Sequence, residues 1–212
     1  MRERFRSLRD ARGFSIAEAM TILTAMTILS GVAAPAMSGY LEDAKLLRAR
    51  HDVRTVAASL IRMFDDVGPE RALEHGWAHA ALLVGAGEAP RAGAAEAAAW
   101  TLDATHRAVR LLDDHLVVNE AGYSVMRGTL RQGWRGAYLQ DAVRSDPWGQ
   151  RYGVNVGAMR SQSLDTVVLS AGPDGVVHSP FEHDGLPTTS DDVVAVVASS
   201  GLGLSGALFP NR

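Results

Sequence analysis

A single carboxylate, Glu18, lies in the most apolar part of the chain. The run over residues 14–37 is 24 residues long and contains no other charged side chain. A carboxylate inside an apolar membrane helix costs roughly 2.5–3.5 kcal/mol, and a paired cation offsets part of that cost. Glu18 therefore predicts a cationic partner. That partner is either another subunit or the arginines at the membrane surface, toward which the side chain can extend.

Other side chains with potential chemistry lie far along the chain. His75 and His79 are four residues apart, which is the spacing of two metal ligands on one helical face, but no third ligand is in register. Residues 201–206 have the letters of a dinucleotide fingerprint without a helix after them, and they indicate a flexible tail. The sequence contains no nucleophile elbow and no P-loop.

Composition limits the class of protein. The chain has 212 residues, 47% of them hydrophobic, which fits one membrane segment and one modest soluble domain. The net charge is −3, and residues 1–13 are basic, so the remainder is acidic and lacks the positive surface of a nucleic-acid-binding protein. Cysteine is absent, which excludes disulfides and zinc–thiolate sites.

The amino-terminal segment has the length of a membrane helix. Twenty-four helical residues span about 36 Å, more than the hydrocarbon core of about 30 Å. Arginines precede the segment and are scarce just after it, which places the leader in the cytoplasm. Three interpretations compete: a plain signal anchor, a signal peptide cut near residues 34–36, and a class III signal cut after Gly13. Pro35 and Glu18 both argue against the second.

The motif that decides between them is Gly13-Phe14-Ser15-Ile16-Ala17-Glu18. It resembles the processing site of the type IV pilin and pseudopilin family. The resemblance implies that prepilin peptidase cuts after Gly13 and methylates the new amino terminus at Phe14. The α-amine of Phe14 then pairs with Glu18 of a neighbouring subunit, which sets the register of a helical filament. Pro35 falls where many members carry a helix-breaking proline, and with Gly31 it predicts a kink or a locally unwound stretch.

Periodic patterns predict the elements beyond the membrane segment. Apolar residues at helical spacing continue the helix to Asp66, and Gly68-Pro69 ends it. The following stretch predicts helices over residues 73–84 and 94–112, the latter ended by Asp113-Asp114, and short strands at 116–118 and 123–126. Alternating or β-branched runs predict an antiparallel sheet of three strands, at residues 151–159, 164–170 and Val193–Ala198.

A second group of motifs lies in this sheet region: Asp146-Pro147-Trp148-Gly149 with Tyr152, then Leu169-Ser170-Ala171-Gly172-Pro173-Asp174-Gly175, then Ser190-Asp191-Asp192-Val193. It resembles the carboxy-terminal half of the major (G-class) pseudopilins of type II secretion systems, in which the corresponding loop binds calcium. The resemblance implies side-chain ligands at Asp174, Asp191 and Asp192, with backbone carbonyls near Leu169 and Gly172, and with Ser190 as a further candidate. Residues 175–191 form a longer loop than the family's compact one.

The chemistry of the loop agrees with a cation. Calcium takes six to eight oxygen ligands from flexible loops, and three converging aspartates would repel one another without a cation. Two alternatives remain open. The aspartates are an ordinary turn and a solvated strand start, or His178 recruits a transition metal together with Glu182, His183 and Asp184.

The resemblance implies an α+β, pilin-like fold in which a long N-terminal helix packs on a small antiparallel β-sheet. The expected organisation is a cleaved leader (1–13), a membrane and filament-core helix (14–37), its amphipathic continuation (38–66), a variable helical and loop insert (67–143), a sheet with the calcium loop (144–199) and a flexible tail (200–212).

Three functions follow, in order of preference. The first is a structural, non-enzymatic subunit of a type II secretion pseudopilus, anchored in the bacterial inner membrane and assembled into a periplasmic filament. Its expected partners are further copies of itself, other pseudopilins, prepilin peptidase, a cytoplasmic ATPase and the inner-membrane assembly platform, and no nucleic acid. The second is a (minor) type IV pilus subunit for adhesion, motility or DNA uptake. The third is a membrane-anchored enzyme built on His178, His183 and aspartates.

Overall fold

The computed structural model describes residues 14–68, 71–72, 77, 79–125, 132–161, 164–182 and 191–198. The chain divides into two compact units between Asp43 and Ala44. Several positions predicted to matter lie outside the described residues: Gly13 and the rest of the leader, His75, His183, Asp184, Ser190 and residues 201–206.

The long helix predicted from the sequence is present. Helix α1 comprises Ile16–Val67, and it ends at Gly68, which adopts a φ of +87° and donates its N–H to the carbonyl of Phe64 at 2.8 Å. A left-handed glycine is the usual helix terminator. The helix continues without interruption through residues 31–35, so a locally unwound stretch there is wrong, while the alternative of a kink stays a prediction. A proline removes one hydrogen bond, and the intact turns on both sides maintain the helix.

The first unit exposes its apolar surface. Every described side chain over residues 14–43 is exposed, including Phe14, Ile16, Leu29 and Val32. By length and composition α1 is able to cross a membrane. This exposed stretch coincides with the predicted membrane and filament-core segment.

The second unit contains seven strands in the described residues. They are β1 (Leu82–Val84), β2 (Arg91–Ala92), β3 (Val109–Leu111), β4 (Gly153–Val154), β5 (Thr166–Ser170), β6 (Val176–Val177) and β7 (Val193–Ala198). Five of them form one sheet in the order β3-β1-β4-β5-β7, and β2 pairs with β6 in a separate parallel ribbon.

The three strands predicted from the sequence, β4, β5 and β7, pair antiparallel as expected, and the additional strands β1 and β3 make the main sheet mixed. Strands β1 and β3 run parallel, while the pairs β1–β4, β4–β5 and β5–β7 are antiparallel. A parallel pair needs a long crossover, and the segment between β1 and β3 supplies it. The α+β, pilin-like architecture of a long helix packed on a sheet is confirmed.

The helix predicted over residues 73–84 is wrong in the part that the structure describes, residues 77 and 79–84, and the α-helix predicted over residues 94–112 is also wrong. Residues 82–84 form the buried strand β1, and residues 94–112 form the 3₁₀ helix Ala95–Thr101 followed by β3. The short apolar run at β1 has no period that distinguishes a strand from a helix. In the second segment, Ala97 and Trp100 are three residues apart and both are buried. A 3₁₀ helix has three residues per turn and places both on one face.

Other boundaries also differ from the sequence patterns. Strand β4 has only two residues because Asn155 leaves the ladder, and the 3₁₀ helix Val156–Arg160 follows it. Asp113, expected to end a helix, instead begins helix α2 (Asp113–Leu116). The strand expected at residues 116–118 is absent, because Leu116 is the last residue of this helix and a turn follows it. At 123–126 the described residues contain only an isolated bridge between Val125 and Trp134. Strands β5 and β7 confirm the two remaining predictions, with β5 starting two residues later than expected.

Apolar side chains cover both faces of the sheet. On one face, the second half of α1 buries Val53, Leu60 and Phe64 against side chains that include Leu83 and Val168. On the other face, residues from the insert, from β5 and from the segment after β5 form a second cluster: Leu82, Val84, Ala97, Trp100, Val109, Val167, Leu169, Ala171, Val177 and Phe181. The insert therefore supplies a third layer to this unit.

Candidate metal centre

Asp146 lies in the turn before β4 and is hydrogen-bonded to the end of β5, where the candidate metal loop begins. Asp146 is buried, and its Oδ1 accepts hydrogen bonds from the backbone N–H groups of Trp148 (3.0 Å) and Gln150 (2.8 Å). Its Oδ2 accepts the hydroxyl of Ser170 at 2.6 Å, and the Ser170 Oγ in turn accepts the N–H of Gly172 at 3.3 Å. One carboxylate thus connects the turn before β4 to the end of β5.

Two glycines shape the turn that carries Asp174. Gly172 and Gly175 have φ values of +70° and +66°, which a side chain would strain. A Cβ on Gly172 would lie 2.5 Å from the backbone oxygen of Asp191, so this turn contacts the start of β7 directly. Asp174 Oδ1 accepts the N–H of Val176 at 2.8 Å.

This contact brings three ligand-bearing side chains together. One ligand atom from each of Asp174, His178 and Asp191 lies within 4.8 Å of the other two, and all three residues are exposed. His178 Nδ1 is 3.6 Å from Asp191 Oδ1. Two of the three aspartates predicted from the sequence therefore converge, and a histidine joins them.

The third predicted aspartate has a different role. Asp192 Oδ2 accepts hydrogen bonds from the backbone N–H groups of His178 (3.0 Å) and Ser179 (2.7 Å) and from the Ser179 hydroxyl (2.6 Å). Its other oxygen, Oδ1, is buried and has no hydrogen-bond partner in the described part of the chain. Asp192 thus fixes the backbone that carries the histidine.

The predicted backbone ligands are only partly available. Leu169 lies inside β5, opposite Gly153 on one side and Val194 on the other, so its backbone belongs to the sheet. The carbonyl of Gly172 is in the turn, where it accepts the N–H of Gly175 at 3.4 Å. The side chains that fit a cation best are Asp174 and Asp191, which offer oxygen ligands from loops, as calcium requires.

Residues 91–100 of the insert pack against residues 174–181 of the candidate metal loop. Trp100 donates its indole N–H to the carbonyl of Ser179 at 3.1 Å, and its ring centroid is 4.9 Å from that of Phe181. Phe181 donates its N–H to Glu96 at 2.9 Å, and Arg91 donates a guanidinium N–H to the carbonyl of Asp174 at 3.1 Å. Residues 91–100 therefore constrain residues 174–181.

Sequence reasoning missed several of these contacts. The sequence placed His178 only in an alternative metal site with Glu182, His183 and Asp184, and not with Asp174 and Asp191. The four-residue spacing from Asp174 to His178 was the available signal. No sequence pattern indicates that Asp146 and Ser170, which are 24 residues apart, share a hydrogen bond.

The residues predicted to act in assembly lie in the first unit. Glu18 is exposed in the first turn of α1, and Phe14 is exposed just before the helix. Thr21, Thr24 and Thr27 direct their hydroxyls backward to carbonyls four residues earlier, at 2.7–2.8 Å. These bonds satisfy the hydroxyl hydrogens within the helix, as expected for threonine in an apolar segment.

The long helix packed on a sheet is an α+β, pilin-like fold. Residues 119–184 match the family model described as "Type II secretion system (T2SS), protein G". The match covers the Asp146 turn, β4 to β6 and the residues Asp174 and His178, and it supports the assignment of the chain as a pseudopilin. The family is one of structural secretion proteins. The match begins inside the stretch expected to be a variable insert. Neither the comparison with curated proteins nor that with solved structures gave a match.

Proposed function

We propose that this protein is a structural subunit of a type II secretion pseudopilus. The match of residues 119–184 to the secretion family carries this proposal, because it includes the motifs around Asp146 and Asp174. The exposed apolar helix fits an anchor in the inner membrane before assembly and a filament core after it. An exposed apolar surface of this extent needs lipid or other subunits to cover it.

Processing by prepilin peptidase is the first step of the proposed function. Cleavage after Gly13 frees the α-amine of Phe14, a cation four residues before Glu18. In a filament, the amine of one subunit pairs with Glu18 of the next. The platform and the other pseudopilins complete the assembly, and the filament supports secretion of folded proteins across the outer membrane.

A Gly13→Ala variant tests this proposal in the native host. We expect uncleaved protein in the inner membrane and loss of secreted cargo, because the peptidase requires the glycine. The measurements are the amino-terminal mass of the protein and the fraction of cargo outside the cell. Gly39→Ala is the matched control, since a Cβ there meets nothing within 4 Å. Normal cargo secretion by an uncleaved Gly13→Ala protein contradicts the proposal, and loss of surface pili with normal secretion favours the pilus alternative.

A calcium ion bound by Asp174 and Asp191 is part of the proposal. The ion offsets the repulsion between the two carboxylates and joins the turn after β5 to the start of β7. We expect a chelator to lower the Tm of the full chain in detergent, and Asp174→Ala to abolish that response. Asp141→Ala, at an exposed loop position, is the control. An equal chelator response in the Asp174→Ala variant and the parent contradicts the role of this ligand.

A further inference from the structure

We propose that Asp174, His178 and Asp191 form a binding site for a transition-metal ion of the zinc class, and that this ion binds more tightly than calcium. The ligand atoms of the three side chains already lie within 4.8 Å of one another. The inference rests on the cation site proposed above and is independent of filament assembly.

The imidazole of His178 is the reason for this choice of metal. Calcium binds through oxygen ligands, whereas imidazole nitrogen favours zinc, copper, iron and nickel. Zinc is held in many proteins by three side chains of the types histidine, aspartate and glutamate, with water in the remaining position. Two carboxylates and one imidazole match that donor set.

The charge balance of the site favours a divalent cation. Among the described residues, His178 is the only side chain that pairs ionically with Asp191, and none pairs with Asp174. Arg91 donates to the backbone carbonyl of Asp174 and not to its carboxylate. The buried, unpartnered Oδ1 of Asp192 adds a further negative group on the residue next to Asp191.

The histidine is held in place before any metal binds. Its backbone N–H donates to Asp192 Oδ2 at 3.0 Å. Its ring lies over Gly93, because a Cβ built on that glycine would be 3.0 Å from the ring atom Cδ2. The ordering of these groups is thus part of folding, and the free-energy cost of ordering the site on binding is small.

The test measures binding of zinc and of calcium, separately, to the full chain in detergent after removal of metal with a chelator. Isothermal titration calorimetry compares the parent, His178→Ala and Asp174→Ala, with His51→Ala as a control at an exposed histidine of α1. Loss of even an outer-shell partner weakens metal sites by about 10–100-fold, so we expect His178→Ala to raise the Kd for zinc at least about tenfold. Its Kd for calcium should not change, and Asp174→Ala should weaken both.

Nitrogen-15 NMR of the parent chain supplies a measurement that needs no variant. Zinc should shift an imidazole nitrogen resonance of His178, and calcium should not. An unchanged resonance, an equal zinc Kd in the parent and His178→Ala, or tighter binding of calcium than of zinc by the parent would overturn the inference. In the last case, calcium binding that is lost in Asp174→Ala still supports the proposed calcium site, and the Gly13→Ala experiment is unaffected.

Discussion

At the scale of single residues, His115 is a buried titratable group packed between two aromatic side chains. It is 1% exposed, and its Nδ1 accepts the indole N–H of Trp77 at 2.9 Å and lies 2.7 Å from the hydroxyl of Tyr123. An indole N–H only donates, so Nδ1 is unprotonated and the ring hydrogen is on Nε2. Burial, followed by the nearby charge of Arg110, lowers the pKa of His115 to about 4.

The lowered pKa predicts acid sensitivity. Below about pH 6.5 the unfolded chain binds a proton at His115 that the folded chain does not, so the free energy of unfolding falls between pH 6.5 and pH 4, by up to about 3 kcal/mol. Urea denaturation at several pH values in this range measures the loss. In the His115→Gln variant, the share of this pH-dependent loss of unfolding free energy that comes from residue 115 should vanish. An equal loss in the parent and His115→Gln would show that His115 is not responsible.

At the scale of elements, the sequence patterns predicted the regular parts of the structure well. Helix α1 has an apolar pattern at helical spacing over many residues, and strands β5 and β7 have runs of β-branched residues. Both signals are local in the sequence. The 3₁₀ helix at Ala95–Thr101 does not depend on local propensity alone. Trp100 is buried against residues about 80 positions away, and such tertiary packing overrides the alanine-rich helical pattern.

The same limit applies to the end of β4 and to the candidate site. The side chain of Asn155 donates to the carbonyls of Asp165 (3.0 Å) and Phe181 (2.9 Å) and accepts the N–H of Val167 at 2.7 Å. These bonds replace strand pairing, and the alternating pattern of residues 151–159 does not reveal them. The sequence located Asp174 and Asp191 through their resemblance to a known loop, whereas the orientation of Asp192 depends on hydrogen bonds to His178 and Ser179.

The contact between the insert and the metal loop predicts the effect of changing Trp100. Trp100→Ala removes a side chain that is 2% exposed, and truncation of a buried tryptophan costs about 3–5 kcal/mol of unfolding free energy. Gly153 shows how closely the ring packs, because a Cβ there would lie 3.0 Å from Trp100 Cε3. Urea denaturation of the full chain in detergent measures the change.

Trp100→Phe is the matched control for this prediction. It keeps most of the aromatic packing and loses the hydrogen bond to Ser179, which is worth about 1 kcal/mol. The amide of Phe181, which donates to Glu96, should exchange with solvent faster in Trp100→Ala than in Trp100→Phe. Unchanged exchange, or a loss below about 1 kcal/mol in Trp100→Ala, would mean that the insert does not hold the loop.

At the scale of the whole molecule, the two units differ in where their apolar side chains lie. The described side chains over residues 14–43 are exposed and mostly apolar, while the second unit buries apolar side chains on both faces of its sheet. A chain with this division is stable in water only when its first unit is covered by lipid or by other subunits. In the proposed filament, Glu18 is the one charged side chain of residues 14–37 that other subunits must accommodate within this apolar surface.

Glu18→Gln therefore tests assembly without affecting maturation. The substitution keeps size and polarity, and it removes the negative charge that pairs with the α-ammonium of Phe14. An unpaired buried charge costs about 3–5 kcal/mol, and each 1.4 kcal/mol is a factor of about ten in an equilibrium constant. We expect filament yield below about a tenth of the parent's by that conversion, with normal cleavage after Gly13 by mass spectrometry. Glu96→Gln, at an exposed glutamate of the second unit, should leave the yield unchanged. Normal filament yield with Glu18→Gln would show that no charge pair sets the subunit register.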